Sequence, residues 1–295
     1  MKQIKFLKKV YYYFKKNLLF LNIKNKNIQN QAYNQFCYNK LKRKFNKVIN
    51  NFQCNPSTVS NSDKIWFCWF QGIENAPALV KACYESIKKN IPDKEIVVIT
   101  ENNYKDYIKF PDYILNKRKK GYIENAHFSD LIRLELLKQY GGLWIDSTVF
   151  VSNKIDDSFF NNDLFVFKEI SLYQKEELPI RASNWLIYSK HNNNNIICLT
   201  EKLILEYWKK YNHPINYYFF HIFFSIASKK FNDEWLKVPN YSNIPPHMLQ
   251  FELKNQYNLN RFNEIKRMSD FHKLNHRINS NDDNSFYSYI INYKK

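Results

Sequence analysis

The chain has 295 residues, with 45 Lys and Arg against 27 Asp and Glu and a formal net charge of +18. A hydrophobic content of 44%, including 18% aromatics, excludes wholesale disorder, and only 4 Gly and 9 Pro exclude collagen-like and linker-rich chains. The length suits one large domain or one and a half, with ample core.

The charge is segregated along the chain. Residues 1–62 hold 13 Lys or Arg and no acid, and the first acid is Asp63. The remainder holds 32 basic and 27 acidic side chains, an ordinary balance for a soluble enzyme. The chain therefore divides into a basic, aromatic-rich helical arm over 1–62 and a near-neutral body over 63–295. Early in the arm, Lys8, Lys9, Lys15 and Lys16 rim a greasy set that includes Phe6, Leu7, Val10, Tyr13, Phe14 and Leu18. Three uses fit this pattern. One is a helix lying on an anionic membrane surface, where each Lys contributes about 1 kcal/mol. The second is phosphate contact with nucleic acid. The third is a helical cap on the body. The apolar runs are too short to span a bilayer, and no small-residue cleavage site follows. The expected location is cytoplasmic, peripheral at the inner face of the plasma membrane. Cys37, Cys54, Cys68, Cys83 and Cys198 form no CxxC pair, which argues against a zinc site and a disulfide framework.

The body alternates strands and helices. The aromatic run at 64–70 predicts a buried strand, ended by Gln71 and Gly72. A helix follows over 78–90 with Pro77 at its start, then a strand over 95–100 and short helices over 104–108 and 111–117. A strong helix over 125–140 is stopped by Gly141 and Gly142. A third strand lies within 143–151, and further strands over 164–168 and 185–189. From residue 194 the pattern is mostly helical, over 194–211, 215–230, 247–257, 261–272 and 286–293. Strand, helix, strand at these spacings predicts an α/β fold with a parallel sheet and crossover helices. No GxGxxG follows the first strand and no P-loop lysine motif occurs, which removes support from dinucleotide and ATP sites.

In open α/β sheets, ligands bind beyond the carboxyl ends of strands. Two such ends stand out, Trp69-Phe70-Gln71-Gly72 and Trp144-Ile145-Asp146-Ser147-Thr148. An acid ending an apolar strand needs a metal ion, a ribose hydroxyl or an arginine, unless it caps the next turn through Ser147 or Thr148. The preceding helix carries Asp130 and Arg133, three apart on one face, with Ser129 adjoining. As a solvated pair these are worth under about 1 kcal/mol. The two-glycine turn, however, leads from this helix into Asp146, so Asp130, Arg133 and Asp146 are expected to converge. Such a set suits a sugar carried on a diphosphate. Carboxylates accept hydrogen bonds from sugar hydroxyls, and a guanidinium clamps phosphate or orders a carboxylate.

The stretch AHFSDLIRLELLKQYGGLWIDSTVF, residues 126–150, resembles the bacterial capsular polysaccharide synthesis proteins. These are similar to the GT-A glycosyltransferases with an SDxxR helix and a DxD strand end, including the large clostridial toxin glucosyltransferases. The likeness extends to 64–83, 182–189, 217–221 and 246–250. It implies a GT-A, Rossmann-like nucleotide-sugar core with a mostly helical C-terminal part. It also implies a glycosyltransferase acting on a nucleotide-sugar donor, usually a UDP-sugar. The acceptor would be a capsular or other surface glycan, free or lipid-linked, and transfer would proceed with retention.

By that resemblance Asp130 and Arg133 hold the donor sugar and order the site, and Asp146 is the first acid of DxD, touching ribose, sugar or metal. Trp69, Gln71 and Gly72 sit beside the nucleotide. Ser129, Trp144, Ser147 and Thr148 flank the acids as candidate substrate contacts. Asn184 and Trp185 open a strand that faces the sugar on one reading. His221 lies in an aromatic helix and is either a substrate contact or core. His247 is either a late metal or diphosphate ligand or a loop histidine. The second DxD acid is absent, and Thr148 stands in its place. A neutral hydroxyl coordinates weakly, which puts dependence on Mn²⁺ or Mg²⁺ in doubt. Two other readings remain: a nucleic-acid-binding protein using the arm, and an inactive scaffold with a degenerate DxD. The confinement of the charge to the arm argues against a nucleic-acid partner.

Overall fold

The computed structural model describes residues 23–54, 62–169 and 178–293. The strands are β1 (Lys64–Cys68), β2 (Glu95–Ile99), β3 (Gly142–Asp146), β4 (Val149–Val151), β5 (Leu164–Lys168), β6 (Ala182–Ser189) and β7 (Phe271–Lys273). The α-helices are α1 (Lys26–Lys44), α2 (Asn46–Asn50), α3 (Ala78–Asn90), α4 (Tyr104–Tyr107), α5 (Asp112–Lys119), α6 (Asn125–Tyr140), α7 (Asn195–Lys210), α8 (Phe219–Lys230), α9 (Asn232–Lys237), α10 (Met248–Glu252), α11 (Leu259–Met268) and α12 (Phe286–Ile291).

Five strands form the central sheet in the order β2-β1-β3-β6-β5. β1 pairs in parallel with β2 and β3, as the strand–helix–strand spacing predicts. β6 runs antiparallel to β3 and to β5, so the sheet is mixed beyond the helix-connected unit. Side chains alternate across the sheet. Trp66, Trp144, Val166 and Ile187 face one core with α6, α7 and α8, while Phe67, Ile145, Phe165 and Leu186 face the other with α3. The C-terminal part is mostly helical, as expected, with a third core around Leu249, Phe262, Leu274 and Phe286.

Three local differences from the sequence reading bear on the site. The apolar run at 143–151 holds two strands, because a turn at Ser147 and Thr148 takes β4 out of the main sheet to pair antiparallel with β7. The helix expected over 261–272 stops at Met268, and the Ser269 hydroxyl bonds the backbone of Phe271 as the chain turns extended. The helix expected from 215 begins at Phe219, leaving Tyr217 and Tyr218 exposed before it.

The described part of the basic arm packs on the body. α1, α2 and the Phe45 between them bury Cys37, Tyr38, Leu41, Phe45 and Ile49 in the same core as Trp66 and Trp144. The Tyr33 hydroxyl donates to Ile215 O at 2.7 Å, and Phe45 meets Phe223 edge-on at 5.5 Å. The stretch 2–22, where a membrane-lying helix is one expectation, lies outside the described residues. Among the described residues no helix is long and apolar enough to cross a membrane. No disulfide forms among them either.

One buried acid gives the fold a pH signature. Glu201 in α7 is 5% exposed, with the Lys138 ammonium at 3.2 Å. Burial raises its pKa, Lys138 opposes this, and Glu135 adds to it, giving about 8. The folded state therefore retains a proton that the unfolded chain releases above about pH 4.3. Stability from this group is lost as pH rises from there through 8. Glu201→Gln is expected to leave the melting temperature near wild type at pH 5 and to raise it at pH 9. Thermal unfolding at both pH values checks this, and equal shifts at both would refute it.

Candidate active site

The site is built on the connection from α6 to β3. Gly141 closes the helix at φ 71° and Gly142 starts the strand at φ 91°. Both values favour glycine. A Cβ on Gly142 would lie 2.5 Å from Lys64 O, and one on Gly141 would lie 2.9 Å from Ser189 O. Two glycines thus let the chain reverse directly from helix into strand, and the Trp66 indole locks the turn by donating to Gly141 O at 2.8 Å. Helical rise carries Arg133 about 10 Å back from Tyr140, and strand rise carries Asp146 about 13 Å on from Gly142. The two arrive level at the carboxyl edge of the parallel strands.

There the Arg133 guanidinium forks between two carboxylates. Nη1 donates to Asp130 Oδ1 at 2.6 Å and Nη2 to Asp146 Oδ1 at 2.9 Å. Its Cζ lies 4.7 Å from the centre of the Trp144 ring and 5.5 Å from that of the Phe220 ring. Trp144 Nε1 also donates to Asp146 Oδ1, at 2.9 Å, because residues i and i+2 of a strand share a face. Asn184 Nδ2 donates to Asp130 Oδ1 at 2.9 Å from the neighbouring strand β6. Lys273, on β7, completes the cluster: its ammonium donates to Asp146 Oδ2 at 2.7 Å and to Thr148 Oγ1 at 2.8 Å.

Burial grades this cluster. The Arg133 side chain is 4% exposed and Asp130 10%, whereas Asp146 at 24% and Lys273 at 21% reach the surface of the cleft. Burial alone would raise the pKa of Asp146. Lys273 and Arg133, with the hydrogen bonds from Lys273 and Trp144, outweigh it and hold the carboxyl below its ordinary value. Each acid keeps acceptor capacity for a ligand, since a carboxylate has about four lone-pair sites.

The remaining candidates fall in different places. Trp69 follows β1 with its ring 5.8 Å from His276, and among the described residues its buried indole N–H has no hydrogen-bond partner. Gln71 is exposed, and Gly72 sits at φ 80° in the same turn. The Ser129 hydroxyl donates to Ala126 O in its own helix. Ser147 occupies the turn between Asp146 and Thr148.

Asn184 and Trp185 do not both face the acids, because adjacent strand residues point to opposite faces. Trp185 stacks on Phe167 at 4.8 Å and donates to Asn243 Oδ1. His221 opens α8 within the field of Asp130, Arg133 and Asp146. Burial, helped by Arg133 and opposed by the acids, takes its pKa down to about 4, so the ring is neutral at pH 7. His247 lies against Trp185 with Nδ1 2.7 Å from Asn243 O. Its hydrogen bonds do not join it to Asp146 or Thr148.

Sequence reasoning missed Lys273 and His127. His127 is 5% exposed with Nδ1 3.8 Å from Asp130 Oδ2, and the AHFSD motif held it in view, one turn before Asp130. Lys273 carried only the weak signal of a short Phe-His-Lys-Leu alternation. Among the described residues, no three His, Cys, Asp or Glu side chains converge as a metal cluster. At the DxD position, Asp146 and Thr148 already accept from Lys273, so this donor set does not fit a divalent cation as it stands.

The O-glycosyltransferase braB of Annulohypoxylon truncatum is 28% identical over 112 residues, 35% of this chain and 27% of that protein. The glycosyltransferase afumC of Aspergillus fumigatus is 29% identical over 110 residues, 34% of this chain and 28% of that protein. The match thus spans little more than a quarter of either relative. A solved structure titled PaToxG Glycosyltransferase is 17% identical, with a TM-score of 0.39 over 80% of this chain and 94% of that one. A family profile described as "Capsular polysaccharide synthesis protein" matches residues 16–291. With nearly the whole chain covered, including most of the basic arm, the protein belongs to the capsular polysaccharide synthesis protein family.

Proposed function

We propose that the protein is a GT-A-type glycosyltransferase that moves a sugar from a nucleotide sugar, a UDP-sugar by preference, to a growing surface polysaccharide. The observation that carries this reading is the Arg133 fork, which joins Asp130 and Asp146 at the carboxyl edge of the parallel strands. Family membership and the names of the two fungal relatives support it. In the transfer, the bond from the anomeric carbon to the donor phosphate breaks and the acceptor hydroxyl oxygen bonds to that carbon. The hydroxyl proton passes to the departing diphosphate in the retaining reading. Asp130 and Asp146, oriented by Arg133, accept hydrogen bonds from sugar or ribose hydroxyls. Trp69 lies beside the nucleotide. The neutral His221 ring and the exposed Tyr217 sit at the sugar side. A basic stretch ahead of α1 would hold the enzyme near a lipid-linked acceptor.

The test is a panel of sugar nucleotides, read by thermal shift and by donor hydrolysis. At least one UDP-sugar is expected to raise the melting temperature and to be hydrolysed slowly. A flat response to every sugar nucleotide would overturn the reading.

A further inference from the structure

The Lys273 ammonium bridges the two side chains that stand at the acid positions of a DxD strand end. It lies 2.7 Å from Asp146 Oδ2 and 2.8 Å from Thr148 Oγ1, the first and third positions of the motif. An acid at position 148 would have made a metal ligand, but a threonine hydroxyl serves as an acceptor for an ammonium. β7 sets the lysine there by its register. Lys273 pairs with Val149, and Leu274 N donates to Thr148 O at 2.8 Å, so the side chain projects beside the DxD turn. Two of its three N–H groups meet Asp146 and Thr148, and the side chain is 21% exposed.

Arg133 cannot take the same part. It is 4% exposed and forked between two acids. Reaching a phosphate would mean abandoning them. The charges of Asp130, Asp146, Arg133 and Lys273 balance to zero, so a diphosphate must find its positive partners at the open side. The segment after β7 supplies one in Arg277, four residues beyond Lys273. Its neighbour His276 packs against Trp69 just past β1. Partial burial, then Arg277 and Lys273, depress the His276 pKa, so both cations act on this end of the cleft.

We infer that Lys273 is the built-in cation of this site: it meets the diphosphate of the donor in place of a metal ion, and donor binding needs no divalent cation. The inference rests on the nucleotide-sugar reading above. An ammonium is a compact point charge suited to phosphate, and aimed at a leaving diphosphate it supplies the electrostatic stabilisation otherwise asked of Mg²⁺ or Mn²⁺.

The experiment is calorimetric titration of the full chain with UDP, GDP, ADP and CDP and with their nucleosides, in EDTA and in Mn²⁺. For the diphosphate that binds, affinity in EDTA is expected to lie within about twofold of that in Mn²⁺. Lys273→Met is expected to weaken that diphosphate at least tenfold and to leave the nucleoside unchanged. Diphosphate binding by the wild type that appears only with Mn²⁺ overturns this inference alone. So does a folded Lys273→Met protein that binds the diphosphate as tightly as wild type. Binding of no nucleotide or nucleoside in either buffer overturns the donor reading and this inference with it. The wild-type comparison requires no variant, so it decides the matter even if Lys273→Met misfolds.

Discussion

Asp146→Asn is expected to reduce sugar transfer by about 10²–10³-fold while leaving the protein folded. The amide oxygen can still accept from Arg133 Nη2 and Trp144 Nε1, which now meet Oδ1 at 2.9 Å each. The amide nitrogen, however, replaces the oxygen that accepts from Lys273 at 2.7 Å, so two donors face each other. The ligand-facing acceptor is lost together with one negative charge between two cations. Nucleoside diphosphate should therefore bind at least as well as before, because the cleft becomes more positive, while turnover collapses. Steady-state kinetics with the donor identified by the panel, beside diphosphate titration, separates the two effects. Turnover within threefold of wild type would remove Asp146 from the reacting site.

Arg133→Ala is expected to cost about 3–5 kcal/mol of folding stability at pH 7, the range for breaking one partner out of a buried charge cluster. The guanidinium is what makes Asp130 tolerable, since that side chain is 10% exposed and has Arg133 at 2.6 Å. Without it, two carboxylates share a low-dielectric site with Lys273 as their remaining cation. Arg133 is one of the groups that hold the Asp146 carboxyl below its ordinary value, so in the variant that depression shrinks. The stability that the depressed carboxyl gives above its folded pKa shrinks with it, so the deficit grows as pH climbs through the carboxylate range. Urea unfolding at pH 4.5 and pH 7 should show the smaller loss at the lower pH. A loss below about 1 kcal/mol at pH 7 would place Arg133 among surface ion pairs instead.

Much of this site was legible in local sequence because its first half is local. Asp130, Arg133 and Asp146 lie on a helix and a strand joined by two glycines, so spacing and periodicity alone bring them level. The C-terminal end of α6 follows from the same glycines. Asn184 was legible as a polar residue in an apolar strand, but which neighbour shared its direction was not, since that depends on register across β3 and β6. Lys273 was not legible. β7 is three residues long and directly follows an amphipathic helix, so a helical period absorbed it. Its partner β4 was hidden at the end of the apolar run that contains β3. Short strands that pair across long separations leave almost no periodic trace. The arm divides similarly. Its missing acids announced a basic segment, while the burial of Cys37, Tyr38 and Leu41 depends on surfaces of α7 and α8 that no window of the arm contains.

The two sequence separations in the cluster also set an order in time. Arg133 and Asp146 are 13 residues apart, and Asp146 and Lys273 are 127 apart. Closing the longer loop costs about 2 kcal/mol more chain entropy than closing the shorter one. On a ribosome, the carboxylate–guanidinium half can assemble while β7 is still unsynthesised. The nascent protein can thus set Asp130 and Asp146 on Arg133 before it has the ammonium beside them. With Lys273 in the proposed role, competence to hold a diphosphate would arrive only when the residues around 273 emerge and pair with β4, making donor capture a late checkpoint of synthesis.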